Sequence, residues 1–505
     1  MVKIFSTEQV RQADAYTIAN EPIASIDLME RAAIACYNII KPKVSGNFKR
    51  VVIFCGPGNN GGDGLAIGRM LWRDGIDVVA VIDEEAAKSP DYMVNLERYI
   101  AGGGITATVS DVPLIEADDL VIDAIFGSGL SKPIQGKWAD VIALINDCRT
   151  IVVSVDIPSG LFSGKPSDPK AGAIVKADHT LSLQFPKLAF MFPENDEFTG
   201  DWQTVDIGLH QKFISAEPAD NFYIGMEDAA EMLKPRKKFS HKGTYGHALL
   251  VTGSLGKMGA AVLSSRACLR SGTGLVTSHI PGCGVSIMQT AVPEAMVSVD
   301  TWDDAFTTLP HLDGYTALGA GPGIGTADST QRALKLLLQE SHVPLILDAD
   351  ALNILSENKT WLGFLPHETI LTPHPKEFER LAGKIVNSFD RFDLLRRFAV
   401  KYGCYIVLKS AHTVTCTPAG KCYFNSTGNP GMATGGSGDV LTGIITGLAA
   451  QGYTTLQSCL LGVYLHGLAG DLAAAKSGPE ALLASDIIDK LSDAWLKIHE
   501  AKAKL

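Results

Sequence analysis

The chain has 505 residues, which is too long for one ordinary domain and long enough for two or three separate cores. Its formal net charge of −11 argues against a general nucleic-acid binder, because such proteins carry basic surfaces. The N-terminal residues lack an apolar core of signal-peptide length, and no uninterrupted apolar run is long enough to span a bilayer. The nine cysteines are scattered without a CxxC pair, as expected for reduced thiols. We therefore expect a cytoplasmic protein without membrane or nucleic-acid partners.

The first half of the chain alternates helical patterns with apolar strands. Two amphipathic helices are predicted over residues 7–20 and 27–41. The apolar run Val51–Cys55 is typical of a strand buried on both faces, and it leads into the stretch Gly56–Gly64 and a helix over 65–73. Further strands are expected at 76–82, 119–125, 150–155, 179–184 and 203–207. This alternation predicts a doubly wound α/β domain with a parallel sheet.

A change of composition near the middle of the chain marks a domain boundary. Between residues 211 and 240 the periodic patterns fade, and the densest basic cluster, Lys234–Lys238, appears. Strands are then expected at 247–251, 274–278, 317–319, 344–348, 369–371 and 405–409, and helices at 438–451, 456–475 and 485–503. We therefore predict a first domain over 1–212, a linker over 213–224 and a second doubly wound α/β domain over 225–505.

The first glycine-rich stretch contains a nucleotide-binding pattern. Gly56, Gly58 and Gly61 satisfy GxGxxG after a strand and before a helix. Asp83 follows about 20 residues later, where an acid would bind a nucleotide ribose. Taken alone, this pattern suggests an NAD-dependent dehydrogenase.

Polar side chains at the ends of successive strands favour a different chemistry. Because ligands of such sheets collect at the carboxyl ends of the strands, the loops that carry Asn60, Asp123 and Asp156 should converge. Asn60, Asp123 and Ser159 could offer oxygens to a hard cation, and Asp156 could act as a general acid or base. A single strand-end acid is more often a cap or turn residue, so the prediction depends on the convergence of the loops.

The stretch Gly56–Gly64, the loop after Asp123 and the string Val155–Gly160 closely resemble the NAD(P)H-hydrate epimerase domain. That family interconverts the R and S hydrates of damaged NADH and NADPH at the hydroxyl-bearing carbon. The resemblance implies proton transfer by Asp156 and a potassium ion held by Asn60, Asp123 and Ser159. It implies that the substrate is lined, together with Asp156, by Asn59, Asn60, Gly61, Gly62, Asp63, Gly127, Ser128, Gly129, Leu130, Ser131, Lys132 and Pro133. Ser128 and Lys132 stand where Thr and Arg are expected more often.

The second half contains the stretch Gly428–Asp439, which has almost no bulky side chains and precedes an apolar helix expected to start near Ser437. Amides in a glycine loop and at a helix start form an anion site. Asp439 lies in the first helical turn, where it could take a proton from a hydroxyl that attacks phosphorus. The alternative is a glycine-rich turn capped by an acidic residue, which suits the helix dipole.

Other polar or glycine-rich loops flank the strands of this half. They are Lys242–His247, Gly253–Ser254, Met258–Ala261, Gly319–Gly325, Asp348–Leu352, Leu371–Glu377 and Lys409–Thr413. Each could individually be a turn, and His374 between two prolines is more often a rigid turn residue than a ligand. Their joint placement at strand ends, together with the glycine stretch, predicts a phosphate-handling cleft.

These motifs resemble the ADP- or ATP-dependent NAD(P)H-hydrate dehydratase family, a branch of the ribokinase-like fold, over most of residues 225–500. That family phosphorylates the hydroxyl of the hydrate and then loses phosphate to regenerate the dihydronicotinamide. The resemblance implies that the hydrate is contacted by Ala260, Gly323, His374 and Asp439. It implies that the nucleotide is contacted by Lys409, Ser410, Ala411, His412, Thr413 and Gly438. Magnesium is expected with the nucleotide, and ADP is favoured over ATP because fused chains of this kind are usually bacterial or archaeal.

The two resemblances together predict a bifunctional enzyme of metabolite repair, an isomerase and a lyase in one chain. A Rossmann-like epimerase domain would interconvert the hydrates NADHX and NADPHX, and a ribokinase-like domain would dehydrate the S form while ADP is converted to AMP and phosphate. A homo-oligomer is expected. One alternative is an NAD-dependent dehydrogenase fused to a ribokinase-like small-molecule kinase. Another is an N-terminal half that has become a binding module for a protein partner.

Overall fold

The computed structural model describes residues 1–44 and 47–505. The chain begins with a short strand, Val2–Lys3 (β1), and divides into two compact units. The smaller unit comprises Lys3–Ala219, and the larger unit comprises Asp220–Leu505 together with Met1–Val2. The division after Ala219 falls inside the stretch 213–224 for which a linker is predicted.

The smaller unit is a parallel sheet with helices between its strands. Its strands are Arg50–Cys55 (β2), Asp77–Ile82 (β3), Ile105–Thr108 (β4), Asp119–Ala124 (β5), Val152–Val155 (β6), His179–Leu183 (β7) and Asp201–Val205 (β8). Its helices are Thr7–Asn20 (α1), Ser25–Val44 (α2), Asn59–Arg73 (α3), Pro90–Ala101 (α4), Lys137–Asp147 (α5), Asp196–Thr199 (α6) and Gln211–Ala216 (α7). The strand order β4-β3-β2-β5-β6-β7-β8, with every described pair parallel, confirms the predicted α/β class.

The sheet order places a ligand crevice beside β2. The chain runs from β2 outward to β3 and β4 and then returns to β5 on the other side, so the connections diverge beyond the ends of β2 and β5. Gly56 makes the close approach possible here, because a methyl group at this position would lie 1.9 Å from the carbonyl oxygen of Ile125. The residues that follow form the first turns of α3, which begins at Asn59, so the predicted helix start at Leu65 is wrong.

The larger unit is built on a mixed sheet. Its strands are Asn221–Ile224 (β9), His247–Val251 (β10), Leu275–Ile280 (β11), Met296–Val299 (β12), Ala317–Ala320 (β13), Leu345–Leu347 (β14), Ile370–Leu371 (β15), Tyr405–Leu408 (β16), Val414–Cys416 (β17) and Cys422–Asn425 (β18). In the described chain the order is β1-β9-β18-β17-β16-β15-β14-β13-β10-β11-β12. The strands from β12 to β16 pair in parallel, and β16, β17 and β18 form antiparallel pairs.

Helices cover this larger sheet. They are Met226–Met232 (α8), Met258–Arg270 (α9), Val285–Ala291 (α10), Asp328–Glu340 (α11), Ala349–Glu357 (α12), Pro375–Ala382 (α13), Ser388–Tyr402 (α14), Ser437–Ala450 (α15), Thr455–Ser477 (α16) and Ala484–Lys502 (α17). By length and composition alone, α16 is the one helix of the described residues that could cross a membrane. However, 78% of its most apolar 18-residue stretch is buried inside the protein, as in a core helix.

Small residues let α15 pack closely against α9. A methyl group on Gly443 would lie 2.1 Å from the carbonyl oxygen of Ser264, and one on Gly447 would lie 2.0 Å from the hydroxyl of Ser271. Larger residues would force the two helices apart. This contact fixes the start of α15, where the glycine stretch ends.

Candidate active sites

The smaller unit contains a cavity of about 530 Å³ at the carboxyl ends of β2, β5 and β6. Ten of the predicted substrate residues line it: Asn59, Asn60, Asp63, Gly127, Ser128, Gly129, Leu130, Ser131, Lys132 and Asp156. Gly61 and Gly62 pack behind the lining, where methyl groups would lie 1.8 Å from the carbonyl oxygen of Gly56 and 2.7 Å from the sulfur of Met29. Pro133 packs against Gly172. The three polar loops therefore converge around one space.

Asp156 is held in an unusual backbone conformation within this cavity. Its φ is 68°, a left-handed value that is uncommon for a residue other than glycine. Its carboxylate pairs with Lys187, with 2.8 Å between Oδ1 and Nζ, and its Oδ2 accepts a hydrogen bond from the Ser128 amide at 2.7 Å. Burial raises the pKa of Asp156, but the charge and hydrogen bond of Lys187, together with the hydrogen bonds of Ser128, outweigh burial, so the pKa lies below its usual value. Asp156 is therefore an ionised carboxylate, suited to accept a proton.

Lys187 is the main residue of this cavity that the sequence analysis missed. Its side chain is 2% exposed, and Nζ also donates to the carbonyl oxygens of Leu183 at 3.3 Å and Phe185 at 3.2 Å. A lysine buried this deeply needs an anionic partner, and Asp156 supplies it. No strand-end or glycine pattern surrounds Lys187, so its role depends on the fold.

Of the three residues predicted as cation ligands, Asp123 and Ser159 contact each other, and Asn60 lines the adjoining cavity. Asp123 is fully buried and accepts hydrogen bonds from the Ser159 hydroxyl at 2.6 Å, the Ser159 amide at 2.8 Å and the Ser154 hydroxyl at 2.7 Å. Burial raises the pKa of Asp123, although these hydrogen bonds act against it. The Asn60 amide nitrogen has no hydrogen-bond partner in the described chain. The Asp123 carboxylate and the Ser159 hydroxyl are oxygen ligands of the kind that a hard cation prefers, whereas the unpartnered Asn60 nitrogen is a hydrogen-bond donor and not a ligand.

Two further carboxylates approach the cavity. Asp14 on α1 lines it, and burial together with the charge of Asp156 raises the pKa of Asp14 to about 6, against the opposing effect of Lys187. Asp63 on α3 is buried, and burial followed by the charges of Asp156 and Asp14 raises its pKa well above the usual value. The helix α1 was predicted only as an amphipathic helix, so Asp14 had no assigned role.

Asp83 lies directly after β3, as predicted, but it is engaged in contacts within the turn. Its Oδ1 accepts the ammonium of Lys137 at 2.8 Å and the amides of Glu85 at 3.1 Å and Ala86 at 3.3 Å, and the side chain is 3% exposed. These contacts close the turn after β3 and leave that oxygen occupied. The acid that the dehydrogenase interpretation of GxGxxG needs for a ribose is therefore already engaged within the turn.

In the larger unit, Asp348 is the centre of a charged cluster at the sheet edge. The side chain of Asp348 is 1% exposed. Its Oδ1 accepts a hydrogen bond from Lys409 Nζ at 2.8 Å, and its Oδ2 accepts one from the Thr442 hydroxyl at 2.8 Å. Lys409 also lies 4.0 Å from Glu377. The cluster joins the ends of β14 and β16 to α15 and α13, which confirms that these strand-end loops meet.

The glycine stretch ends beside this cluster. Gly436 caps α15 with φ 89°, and a methyl group on Gly438 would lie 3.3 Å from Lys409 Nζ. Asp439 follows in the first turn. Burial and the charge of Asp348 raise the pKa of Asp439 to about 6, with Lys409 acting in the opposite direction. The helix start thus combines backbone amides, a lysine and an acid whose pKa is raised to about 6.

Two of the four predicted hydrate contacts lie side by side, Ala260 in the first turn of α9 and Gly323 in the loop after β13. The Ser254 hydroxyl donates to the carbonyl oxygen of Gly323 at 2.6 Å. Gly323 has φ 68°, and a methyl group on it would lie 3.1 Å from the methyl group of Ala260. Asp350 accepts the amide of Gly325 at 2.8 Å and the ammonium of Lys257 at 3.2 Å. Lys257 was absent from the prediction and adds a positive charge beside this pair.

His374 and the 409–413 turn complete the residues predicted for this unit. His374 caps α13, with Nδ1 accepting the amides of Lys376 at 3.1 Å and Glu377 at 3.3 Å, and burial lowers its pKa, so its ring is neutral. Ser410, Ala411, His412 and Thr413 form the turn between β16 and β17, closed by hydrogen bonds between Ser410 and Thr413. His412 Nδ1 lies 3.1 Å from the carbonyl oxygen of Asn425.

Comparison with known proteins finds matches to both halves of the chain. A family model described as YjeF-related protein N-terminus matches residues 25–189, and one described as NAD(P)H-hydrate dehydratase matches residues 248–493. The bifunctional NAD(P)H-hydrate repair enzyme of Moorella thermoacetica is 36% identical over 97% of this chain and 96% of its own length. The enzyme of the same name from Escherichia coli is 32% identical over 92% of this chain and 88% of its own length.

A solved structure matches the second half. The ADP/ATP-dependent NAD(P)H-hydrate dehydratase from Bacillus subtilis, co-crystallised with ATP/Mg²⁺, is 33% identical with a TM-score of 0.50 and covers 55% of this chain and 98% of its own. The predicted ribokinase-like fold of this half is thereby confirmed. The chain belongs to the family of bifunctional NAD(P)H-hydrate repair enzymes.

Proposed function

We propose that this chain repairs hydrated nicotinamide cofactors in two steps. The cavity of the smaller unit interconverts the R and S hydrates of NADH and NADPH. The cleft of the larger unit converts the S hydrate to the reduced cofactor while ADP becomes AMP and phosphate. The observation that carries the proposal is that each unit has an acid at the expected place, Asp156 buried after β6 and Asp439 half-buried in the first turn of α15, in a chain related over nearly its full length to bifunctional repair enzymes.

In the first cavity, Asp156 is the proton acceptor. Its ion pair with Lys187 keeps it ionised, and the Ser128 amide fixes the direction of the carboxylate. The polar lining of Asn59 and Lys132 can bind the polar parts of a dinucleotide, while Gly127 leaves space between Asn60 and Asp156.

A potassium ion fits the residues around Asp123. The buried carboxylate lacks a cationic partner among the described residues, and Asn60 lines the adjoining cavity, where its amide oxygen could reach an ion. Asn60, Asp123 and Ser159 would hold the ion, with the carbonyl oxygen of Phe126 next to Ser159. The ion would offset the buried negative charge and hold the loops of Gly127 and Asp156 in place.

In the second cleft, Asp439 takes the proton of the hydrate's hydroxyl as that oxygen attacks the terminal phosphorus of the nucleotide. The amides of Gly435 to Gly438 and the ammonium of Lys409 stabilise charge on the transferred phosphoryl group. Magnesium bound with the nucleotide would supply further positive charge, and the surplus of acids at Asp348 and Asp439 suits it. Loss of phosphate from the product regenerates the dihydronicotinamide. ADP is the proposed phosphoryl donor.

The proposal is tested by incubating the protein with a mixture of R and S hydrates, magnesium and either ADP or ATP. We expect absorbance of the dihydronicotinamide to return for the whole mixture and faster with ADP, with AMP formed in equal amount. Conversion of the R epimer should slow when potassium is replaced by tetramethylammonium. The absence of reduced cofactor with both nucleotides would refute the proposal, and hydride transfer to a carbonyl substrate would support the dehydrogenase alternative. Size-exclusion chromatography tests the expected homo-oligomer.

A further inference from the structure

The helix α1 contributes one face to the cavity of the smaller unit. Thr7, Arg11 and Asp14 line the cavity at intervals of four and three residues, which places them on one side of the helix. The Thr7 hydroxyl lies 3.0 Å from the carbonyl oxygen of Ser128 and 2.9 Å from the Ser163 hydroxyl, so the helix start is joined to a substrate loop. The same face therefore has a fixed position relative to Asp156.

Asp14 is the acidic group of this face. Within the described chain its carboxylate makes no hydrogen bond or ion pair, although the charges of Asp156 and Lys187 shift its pKa in opposite directions. The other charged groups that face it are Arg11 on its own helix and Asp63 on α3. An unpaired acid placed beside two other carboxylates does not stabilise a fold, because like charges and burial both oppose its ionisation.

The two acids differ in the way that an acid–base pair requires. Asp156 is ionised because Lys187 holds its pKa below the usual value, whereas burial and Asp156 raise the pKa of Asp14 to about 6. Near neutral pH, one group can accept a proton while an appreciable fraction of the other can donate one. Pairs of carboxyl groups whose environments differ in this way identify the base and the acid of a site.

We propose that Asp14 is the second catalytic residue of epimerisation, the group that gives a proton to the ring nitrogen while Asp156 accepts the proton of the hydroxyl. The inference rests on the proposed epimerase function of this cavity. It adds a catalytic residue from a helix outside the glycine-rich and strand-end loops.

The proton transfers balance for a carbon that carries both a hydroxyl and the ring nitrogen. Asp156 takes the hydroxyl proton, and the O–H electron pair becomes the second bond of a carbonyl group. The carbon–nitrogen bond breaks, its electron pair goes to nitrogen, and nitrogen takes the proton of Asp14. The freed aldehyde rotates about its single bond, and the reverse transfers close the ring with the opposite configuration. Both acids then return to their starting protonation states.

The experiment compares Asp14→Asn, Asp14→Glu and the matched control Glu8→Gln, which removes an exposed acid from the same helix. The full-length variants are given R hydrate with nucleotide and magnesium, and separately S hydrate, after subtraction of the rate without enzyme. We expect Asp14→Asn to slow R conversion by roughly 10²-fold or more, the usual range for general acid catalysis, with S conversion unchanged. Asp14→Glu should recover part of the rate, and Glu8→Gln should match the parent protein.

The pH profile separates chemistry from a structural role. In the parent protein, kcat/KM for the R hydrate should fall as pH rises above about 6, where Asp14 loses its proton. This decline should be missing from the residual activity of Asp14→Asn. An Asp14→Asn rate within threefold of the parent, or an unchanged decline above pH 6, would overturn the assignment. Failure of the parent protein itself to convert R hydrate would instead refute the proposed epimerase function.

Discussion

The two sites shift the pKa values of their proposed bases in opposite directions. In the smaller unit, Asp156 contacts a buried lysine at 2.8 Å, and its pKa lies below the usual value. In the larger unit, the nearby lysine is paired with Asp348, and burial with the charge of Asp348 raises the pKa of Asp439 to about 6. The first acid is ionised at all physiological pH values, whereas the second is a stronger base close to the working pH.

The difference matches the chemistry proposed for each site. Hydroxyl deprotonation during phosphoryl transfer benefits from a base whose pKa is close to the operating pH. A reversible epimerisation needs one ionised group and one protonated group that exchange roles, which Asp156 and Asp14 provide. Burial raises the pKa of both acids, and the direct lysine partner of Asp156 is the main difference that brings its pKa below the usual value.

The largest expected effect is the selective loss of one activity when the proposed base of either site is substituted. Asp439→Asn should lower dehydration of the S hydrate by roughly 10²- to 10⁴-fold while R and S hydrates still interconvert. Asp156→Asn should give the reverse pattern, with only the S hydrate converted. Chiral chromatography of the hydrates together with absorbance of the reduced cofactor measures both. If either variant loses both activities while its far-UV circular dichroism is unchanged, the sites are not independent.

A smaller effect is expected when the lysine partner of Asp156 is removed. Lys187→Met should raise the pKa of Asp156, because burial then acts without an opposing charge, and the acid limb of R-hydrate conversion should move to higher pH. We expect the rate at pH 7 to fall by roughly tenfold to a hundredfold. The control Lys176→Met removes an exposed lysine that pairs with Glu197. An unchanged acid limb in Lys187→Met would show that Lys187 does not control Asp156.

Some of these features can be predicted from the amino-acid sequence, and others cannot. The strand-end loops of Asn60, Asp123 and Ser159 were predictable, because the carboxyl ends of parallel strands share one edge of the sheet. Lys187 and Asp14 were not, because one lies after a strand without a motif and the other lies on a helix with an ordinary amphipathic pattern. The Asp348 cluster depends on contacts across 61 and 94 residues, which no local pattern encodes.

Some predicted boundaries were also wrong for a physical reason. Glycines at the start of α3 argued for a loop, since glycine disfavours helices by about 1 kcal/mol. The sheet overrides that preference: a methyl group on Gly64 would lie 2.6 Å from that of Ala124, so only glycine lets the helix pack here. The strands β4, β9, β12, β17 and β18 were missed because each has only three or four residues, too few for a recognisable pattern.

The smallest effect concerns the packing that holds Asp439. Gly443→Ala places a methyl group 2.1 Å from the Ser264 carbonyl oxygen, so α15 must move from α9 at a cost of about 1–3 kcal/mol. S-hydrate dehydration should weaken, and epimerisation should be unaffected. Thermal unfolding measures the loss of stability, with Gly363→Ala as control because its methyl group would meet nothing within 4 Å. Equal melting temperatures for the two variants would contradict the packing argument.

The central claim is that one chain carries R hydrate through to reduced cofactor. The most direct measurement is a time course with pure R hydrate, ADP and magnesium, in which both hydrates, the reduced cofactor and the nucleotides are quantified. We expect R hydrate to disappear, S hydrate to rise and fall, and reduced cofactor to accumulate in equal amount with AMP. Persistence of R hydrate beyond its spontaneous rate, or accumulation of a stable phosphorylated product, would contradict it.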